Sequence, residues 1–128
     1  SATGKTAPVI PIWHNRAMPR LAANLNWLYP DVPFLDRFRL AAHDGFQGVE
    51  MRSPYEHGVN EVRARLKAYG LKSALINAPA GDWTAGERGL ASVPGREGDF
   101  RDAIFEAFEF SRVLHNRVIH VMAGTIAE

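Results

Sequence analysis

The fold is decided by the stretch PFLDRFRLAAHDGFQGVEM, residues 33–51. Its first part has apolar side chains at helical spacing: Phe34, Leu35, Phe38, Ala41 and Ala42. Gly45 then supplies a stop signal, so a helix is predicted over residues 33–45. The last part, FQGVEM (46–51), predicts a short strand. A helix that leads straight into a strand is a building unit of α/β proteins.

The same alternation continues on both sides of this stretch. Strands are predicted over residues 20–25, 46–51, 71–77 and 116–124, and helices over residues 33–45, 59–70 and 95–115. The order β-α-β-α-β-α-β favours parallel strands joined by right-handed crossovers. Such an α/β pattern fits either an open doubly wound sheet or part of a (β/α)8 barrel. The aromatic residues of the last helix are expected to be mostly core: Phe100, Phe105, Phe108 and Phe110.

Residues 1–17 differ from the rest of the chain because they are rich in small residues and proline. Met18 is a plausible natural start. We therefore interpret residues 1–17 as an N-terminal extension, either natural or added for expression. Residues 18–128 have the length of one domain.

Composition excludes several classes of function. The 128 residues include no cysteine, which excludes disulfides, a thiolate nucleophile and cysteine-bound zinc. The net charge is +1 and there is no basic block, so no nucleic-acid partner is expected. No apolar run approaches the ~18 residues of a membrane span, and the start lacks the pattern of a secretory signal. These features predict a cytoplasmic protein that has no membrane partner.

The candidate site lies at the carboxyl ends of the strands, where α/β proteins bind their ligands. Asn24, Glu50 and Asn77 are found there. Each also has a structural interpretation, with Glu50 capping the next loop and the asparagines forming turns. His120 lies between apolar neighbours and is interpreted as a strand histidine rather than a metal ligand, and His57 as a solvated loop residue.

The segment over residues 78–95 is a second candidate, because it lacks periodic structure for longer than the ~12–15 residues of an ordinary loop. Its centre, GDWTAGERG (81–89), combines glycines with an aromatic residue and charged residues. An active-site lid explains this composition, with the glycines as hinges. The candidate substrate-side residues of this lid are Asp82, Trp83, Glu87 and Arg88. A structural Ω-loop that only covers the end of the sheet is the alternative.

Three segments of the chain closely resemble bacterial hydroxypyruvate isomerases: FLDRFRLAAHDGFQGVEM, NAPAGDWTAGERGLASVPGRE and FRDAIFEAF. The resemblance runs from Met18 to about Gly124. It implies a (β/α)8 barrel of the xylose-isomerase-like superfamily. It further implies interconversion of hydroxypyruvate and tartronate semialdehyde, by proton transfer through an enediolate with glutamates as acid and base. A divalent metal commonly holds the substrate oxygens in this superfamily. The same superfamily includes sugar-phosphate epimerases and metal-dependent endonucleases.

The resemblance covers half of such a barrel, because a complete one needs about 250 residues. In the family the catalytic glutamates and metal ligands come from later strands, so no residue here is assigned as catalytic or as a metal ligand, and no cofactor is assigned. The expected substrate is a small three-carbon hydroxy-carbonyl acid. Open sheet edges predict a homo-oligomer, with a dimer as the simplest form. Three functions stay open: an isomerase that needs a second half or self-assembly, a non-catalytic half-barrel that serves as a structural or binding module, and another chemistry of the superfamily such as sugar-phosphate epimerisation or metal-dependent endonuclease action.

Overall fold

The computed structural model describes residues 19–126, so the extension interpreted over residues 1–17 lies outside it, as do Met18 and residues 127–128. The elements are β1 (Ala22–Asn24), α1 (Phe34–His43), β2 (Gly48–Met51), a 3-10 helix (Pro54–His57), α2 (Val59–Ala68), β3 (Lys72–Asn77), α3 (Glu97–Leu114) and β4 (Ile119–His120). The predicted alternation of strands and helices is confirmed. No helix in this part of the chain has the length and apolar character needed to cross a membrane.

The strands form one parallel sheet in the order β1-β2-β3-β4. Each strand is added on the same side of the one before it, so the order never reverses. A doubly wound sheet reverses its order at a switch point, whereas a (β/α)8 barrel adds its strands in one direction. The strand order therefore decides between the two architectures that the sequence leaves open: the chain folds as half of a (β/α)8 barrel.

One face of the sheet is buried beneath the helices. Its strand residues are fully buried: Ala23, Val49, Met51 and Ile76. They pack in one cluster with helix residues that include Phe38, Ala41, Val62, Leu66 and Leu114. Because side chains alternate along a strand, the residues between them lie on the opposite face, away from the helices.

A β-bulge in β3 changes which side chains lie on which face. Between the positions that pair with Val49 and Glu50, β3 contains one extra residue, Ala74. The extra residue shifts the alternation that follows it by one position. As a result Ile76 lies against the helices, where it is fully buried, and Asn77 lies on the opposite face.

The three α-helices between residues 19 and 126 end in the same way. Just after each helix, one residue adopts the left-handed backbone conformation. These residues are Gly45, Gly70 and His115, with φ of 90, 64 and 53°. The next N–H then bonds to the carbonyl five residues earlier, at 2.9 to 3.1 Å. Glycine adopts this conformation without a steric cost, whereas the histidine does so with strain.

The fourth strand is shorter than predicted. A strand was expected over residues 116–124, but β4 covers only two of them. Asn116 is buried and its side chain bonds to neighbouring elements, so it completes the turn after α3 and not a strand. Farther on, Ala123 pairs with Gly89 in an isolated antiparallel bridge, which ends the parallel ladder.

The prediction that the aromatic residues of α3 are mostly core is wrong. Phe105 is 68% exposed and Phe108 is 58% exposed, while Phe100 and Phe110 are partly buried. The buried stripe consists of smaller residues: Ala103, Ala107, Ser111 and Leu114. Phe105 follows Ala103 by two residues, which is about 200° around a helix, and therefore lies on the opposite side.

Candidate functional site

The predicted polar residues at the carboxyl ends of the strands share one face of the sheet. Asn24 pairs with Glu50, and Asn77 pairs with His120. The bulge brings the alternation of β3 into step with that of β2, so all four side chains lie on the face away from the helices. This face combines one carboxylate, two amides and an imidazole, all at least partly exposed. Such groups can exchange protons with a small polar substrate and donate hydrogen bonds to it.

The structure assigns different local roles to these residues. The Asn24 side-chain oxygen accepts a hydrogen bond from the Asn26 N–H at 3.0 Å, which is the predicted turn role. Glu50 caps nothing, because no hydrogen bond or ion pair to its side chain occurs among the described residues. Instead, Asn26 Oδ1 accepts a hydrogen bond of 2.5 Å from the Arg52 N–H. Asn26 therefore joins the loops after β1 and β2, a role that its sequence position does not reveal.

His120 lies in β4, as the sequence predicts, whereas His57 departs from its interpretation as a solvated loop residue. His120 is exposed on the polar face and is not enclosed within its strand. His57 lies in the 3-10 helix, where its ring stacks on Phe34 with 4.7 Å between centroids. The neighbouring Tyr55 donates its hydroxyl hydrogen to the Asn77 carbonyl, and burial raises the pKa of Tyr55. These contacts hold the 3-10 helix beneath the carboxyl end of β3.

Two acidic residues of the predicted lid have structural contacts. Asp82 Oδ1 accepts hydrogen bonds from the Thr84 N–H at 3.0 Å, the Thr84 hydroxyl at 2.6 Å and the Ala85 N–H at 3.1 Å. These bonds hold the pKa of Asp82 below its usual value. Glu87 pairs with Arg96 and accepts a hydrogen bond from the Asp82 N–H, and these contacts lower the pKa of Glu87. Both carboxylates therefore stabilise the loop itself.

The end of the same loop is attached to the segment after β4. The Gly89 N–H bonds to the Ala80 carbonyl at 2.8 Å, and Gly89 forms the bridge with Ala123. A Cβ atom at Gly89 would overlap the carbonyl of Met122, so this close approach requires glycine. Ser92 adds two hydrogen bonds to the Ala123 carbonyl, at 2.8 and 2.9 Å. The loop is thus anchored at its far end, and its action as a lid stays a prediction.

Trp83 and Arg88 belong to a stack that sequence reasoning did not find. The Trp83 ring lies 4.0 Å from the guanidinium carbon of Arg52 and 3.7 Å from that of Arg88. Arg88 Nη1 also donates to the carbonyls of Trp83 and Glu87, at 3.0 and 2.8 Å. Arg52 follows β2 directly, and its position after a strand end was the available signal.

A cavity of about 1320 Å³ lies at the opposite end of the sheet. Its lining includes six basic residues and no acidic residue: Arg20, Arg63, Lys67, Lys72, Arg112 and Arg117. The carboxyl ends of α2 and α3 point here, and helix carboxyl ends favour positive charge. We therefore place the candidate site at the carboxyl ends of the strands, where the reactive side chains are, and not at this basic cavity.

The described residues do not by themselves fit a divalent metal. Residues 19–126 contain no group of three or more histidine, aspartate or glutamate side chains placed to hold an ion. A carboxylate and an imidazole on the polar face are too few for the oxygen-rich shells that such ions prefer.

A half-barrel with polar side chains at the carboxyl ends of its strands defines a class, the (β/α)8 barrel proteins. The chain belongs to the xylose isomerase-like TIM barrel family, whose model matches residues 38–128. It is 60% identical over 109 residues to 2-oxo-tetronate isomerase of Cupriavidus necator, a match that covers 85% of this chain and 42% of the relative. It is 45% identical over 107 residues to hydroxypyruvate isomerase of Escherichia coli, covering 84% of this chain and 42% of that protein.

A solved structure agrees with the fold. A crystal structure described as an AP endonuclease of family 2 from Brucella melitensis superimposes with a TM-score of 0.81 at 48% identity. The match covers 84% of this chain and 42% of that one. The chain therefore spans less than half the length of the relatives it matches, and its predicted resemblance to hydroxypyruvate isomerases is confirmed.

Proposed function

We propose that the chain contributes the first part of an isomerase site that acts on 2-oxo-3-hydroxy acids. Relatives named for hydroxypyruvate and for 2-oxo-tetronate support this substrate class, because both names denote a carboxylate, a carbonyl and a hydroxylated carbon in a row. The three-carbon acid is the smaller of the two. The near-neutral net charge of +1 favours such a small molecule over nucleic acid, and the lack of cysteine fits a cytoplasmic location.

The single observation that carries the proposal is the position of Glu50. Its carboxylate lies on the polar face, next to Asn24 and without a hydrogen-bond partner among the described residues. A carboxylate that is not engaged in structure can take a proton from a carbon acid.

The reaction needs no net change in atoms. A base removes the proton from the hydroxylated carbon, and the electron pair forms the double bond of an enediolate while the carbonyl oxygen becomes charged. A proton then returns to the former carbonyl carbon. The proton of the neighbouring hydroxyl moves to the charged oxygen, so that the old carbonyl becomes a hydroxyl and the hydroxylated carbon becomes the new carbonyl. We assign the first transfer to Glu50, in addition to the glutamates that the resemblance places on later strands, and hydrogen bonds to the charged oxygen to the amides of Asn24 and Asn77.

We further propose that the chain self-associates through its open edges. β1 and β4 are the edge strands of the described sheet, and apolar residues beside them are exposed: Leu21 by 62%, Val118 by 49% and Val121 by 39%. Unpaired strand edges and exposed apolar surface favour association. Two half-barrels related by a two-fold axis are the simplest closed arrangement.

The test combines solution mass and turnover on the same sample. Light scattering of the chain is followed by assays with hydroxypyruvate and 2-oxo-tetronate, with and without a divalent metal. Glu50→Gln is expected to lower kcat by about 10²- to 10⁴-fold, since general acid–base groups contribute that much. Glu61→Gln, an exposed glutamate of α2, is the matched control. Unchanged turnover in Glu50→Gln would refute its role. Turnover of neither acid in any assembly would refute turnover by self-association and favour the binding or structural module.

A further inference from the structure

We propose that Arg52 binds the carboxylate of the substrate, and that Trp83 is the platform that orients its guanidinium group. This inference rests on the proposed isomerase function, because a 2-oxo acid brings a carboxylate next to the reacting carbons. It adds a residue that determines specificity for an acid over a neutral sugar.

Two arginine side chains stack on the Trp83 ring. Arg52 lies 4.0 Å and Arg88 3.7 Å from the centre of the Trp83 ring. Two guanidinium groups at this height cannot share one face of the ring without overlapping, so they cover opposite faces. Each receives a cation–π contact. Trp83 is thereby held between an arginine from the loop after β2 and an arginine from its own loop.

The two guanidinium groups differ in how many of their N–H donors are already used. Stacking occupies the flat face of a guanidinium and leaves its N–H groups free in the plane. Arg88 uses Nη1 for two main-chain carbonyls. Within residues 19–126, the Arg52 side chain has no hydrogen-bond acceptor and no carboxylate within 4.0 Å. The edge of Arg52 can therefore bind a carboxylate through two parallel bonds.

The stack on Trp83 carries two positive charges. Two cations on one ring repel each other, and partial burial strengthens the repulsion. Glu87, which is adjacent to Arg88 in sequence, is already paired with Arg96. A bound anion at Arg52 would offset the repulsion, so the stack favours an anionic ligand over a neutral one.

Arg52 lies close along the chain to the proposed base, Glu50. Arg52 is two residues beyond Glu50 and lies in the bend directly after β2, at the same carboxyl end of the sheet. The Arg52 main chain is held by the side chain of Asn26, which fixes where the guanidinium begins. A substrate whose carboxylate binds Arg52 would extend its hydroxylated carbon back toward Glu50. The residue that binds the acid and the proposed base would thus lie in the order that the substrate requires.

The experiment measures ligand binding separately from turnover. Glycerate is the probe, since it has the carboxylate but no ketone group and cannot isomerise. Glycerol is the neutral control. Binding to the full chain is followed by the NMR signal of the Trp83 indole N–H. Arg52→Gln is expected to weaken glycerate binding by about 10- to 100-fold and to raise KM for hydroxypyruvate with a smaller effect on kcat. Arg52→Lys keeps the charge and should retain part of the affinity. Arg39→Gln, an exposed arginine of α1, should change nothing.

The outcomes separate this inference from the proposed function. Binding of glycerate that depends on Arg52, in a chain that shows no turnover, would support the carboxylate site and reject isomerase turnover by the self-associated chain. Turnover with the same Kd and KM in Arg52→Gln as in wild type would reject the carboxylate site alone. Glycerate binding no tighter than glycerol binding would also overturn it. If Arg52→Gln does not fold, Arg52→Lys decides, and wild-type affinity and KM in that variant would count against bidentate binding.

Discussion

Replacing Asn116 by alanine should destabilise the fold strongly, because this side chain joins three elements inside the protein. Asn116 is 8% exposed, and Ser73 and Ser111 are each 9% exposed. Asn116 accepts a hydrogen bond from the Ser73 hydroxyl at 3.1 Å and donates to the Ser111 hydroxyl at 3.2 Å and the Val118 carbonyl at 2.8 Å. The substitution removes all three bonds and so weakens the connection between β3, α3 and the residue that precedes β4.

The expected loss is the sum of these bonds. A buried neutral hydrogen bond contributes about 1 kcal/mol, so Asn116→Ala should lower the free energy of unfolding by about 3 kcal/mol. The Val118 carbonyl keeps its bond from the Ile76 N–H, which sets the lower end of the range at about 2 kcal/mol. Ser73→Ala removes one bond and should cost about 1 kcal/mol.

Urea unfolding measures this loss as a shift in the midpoint at constant slope. With a slope of about 1–3 kcal/mol/M, a loss of about 3 kcal/mol lowers the midpoint by about 1–3 M. Asn60→Ala, at an exposed position of α2, is the matched control and should stay within about 0.5 kcal/mol of wild type. If Asn116→Ala unfolds at the same urea concentration as the control, the network contributes nothing and the reasoning fails. The double variant with Ser73→Ala should lose about 1 kcal/mol less than the two single losses combined.

Three further predictions concern conformation and pH. His115→Gly should raise the free energy of unfolding by about 0.5–1 kcal/mol in the same titration, because φ of 53° strains a histidine; a decrease would contradict this. The Arg96 ion pair lowers the pKa of Glu87 below 4.5, so its contribution is present above that pH and is lost as pH falls through the lower folded value. Glu87→Gln should therefore flatten the acid limb of stability against pH, and an unchanged limb would refute the pairing. Burial and the bond to Asp44 raise the pKa of Tyr29 from 10.0 to about 12, so its contribution is present below pH 10 and is lost as pH rises toward 12. Thermal unfolding of Tyr29→Phe should lack this alkaline loss.

Periodic segments made most of the fold predictable. The helix stretch over residues 33–45 and the strand that follows it carry enough apolar side chains to specify one period each. The length of the fourth strand was not predictable, because β-branched residues after Asn116 suit a strand whether or not a partner is present. The aromatic residues of α3 misled for a related reason. Hydrophobicity indicates that a side chain can be buried, whereas Phe105 and Phe108 lie on the side of the helix that no described element covers.

The candidate site was predictable at the level of position along the chain. Parallel strands bring their carboxyl ends to one edge, so Asn24, Glu50 and Asn77 were expected to lie near one another. The stack on Trp83 was not predictable, since Arg52 and Arg88 are 36 positions apart and neither has a periodic pattern. Only the folded loops bring them to the same ring.

The bulge at Ala74 shows how a single residue connects the core to the site. Without it, the pairing of Val49 with Ser73 would continue in step, and the alternation would turn Ile76 to the polar face and Asn77 toward the helices. An apolar side chain would then be exposed and an amide buried, both at a cost in stability. The same extra residue therefore completes the hydrophobic core and places the second amide on the same face of the sheet as Glu50. Burial of Ile76 selects the bulge, and the position of Asn77 in the candidate site follows from it.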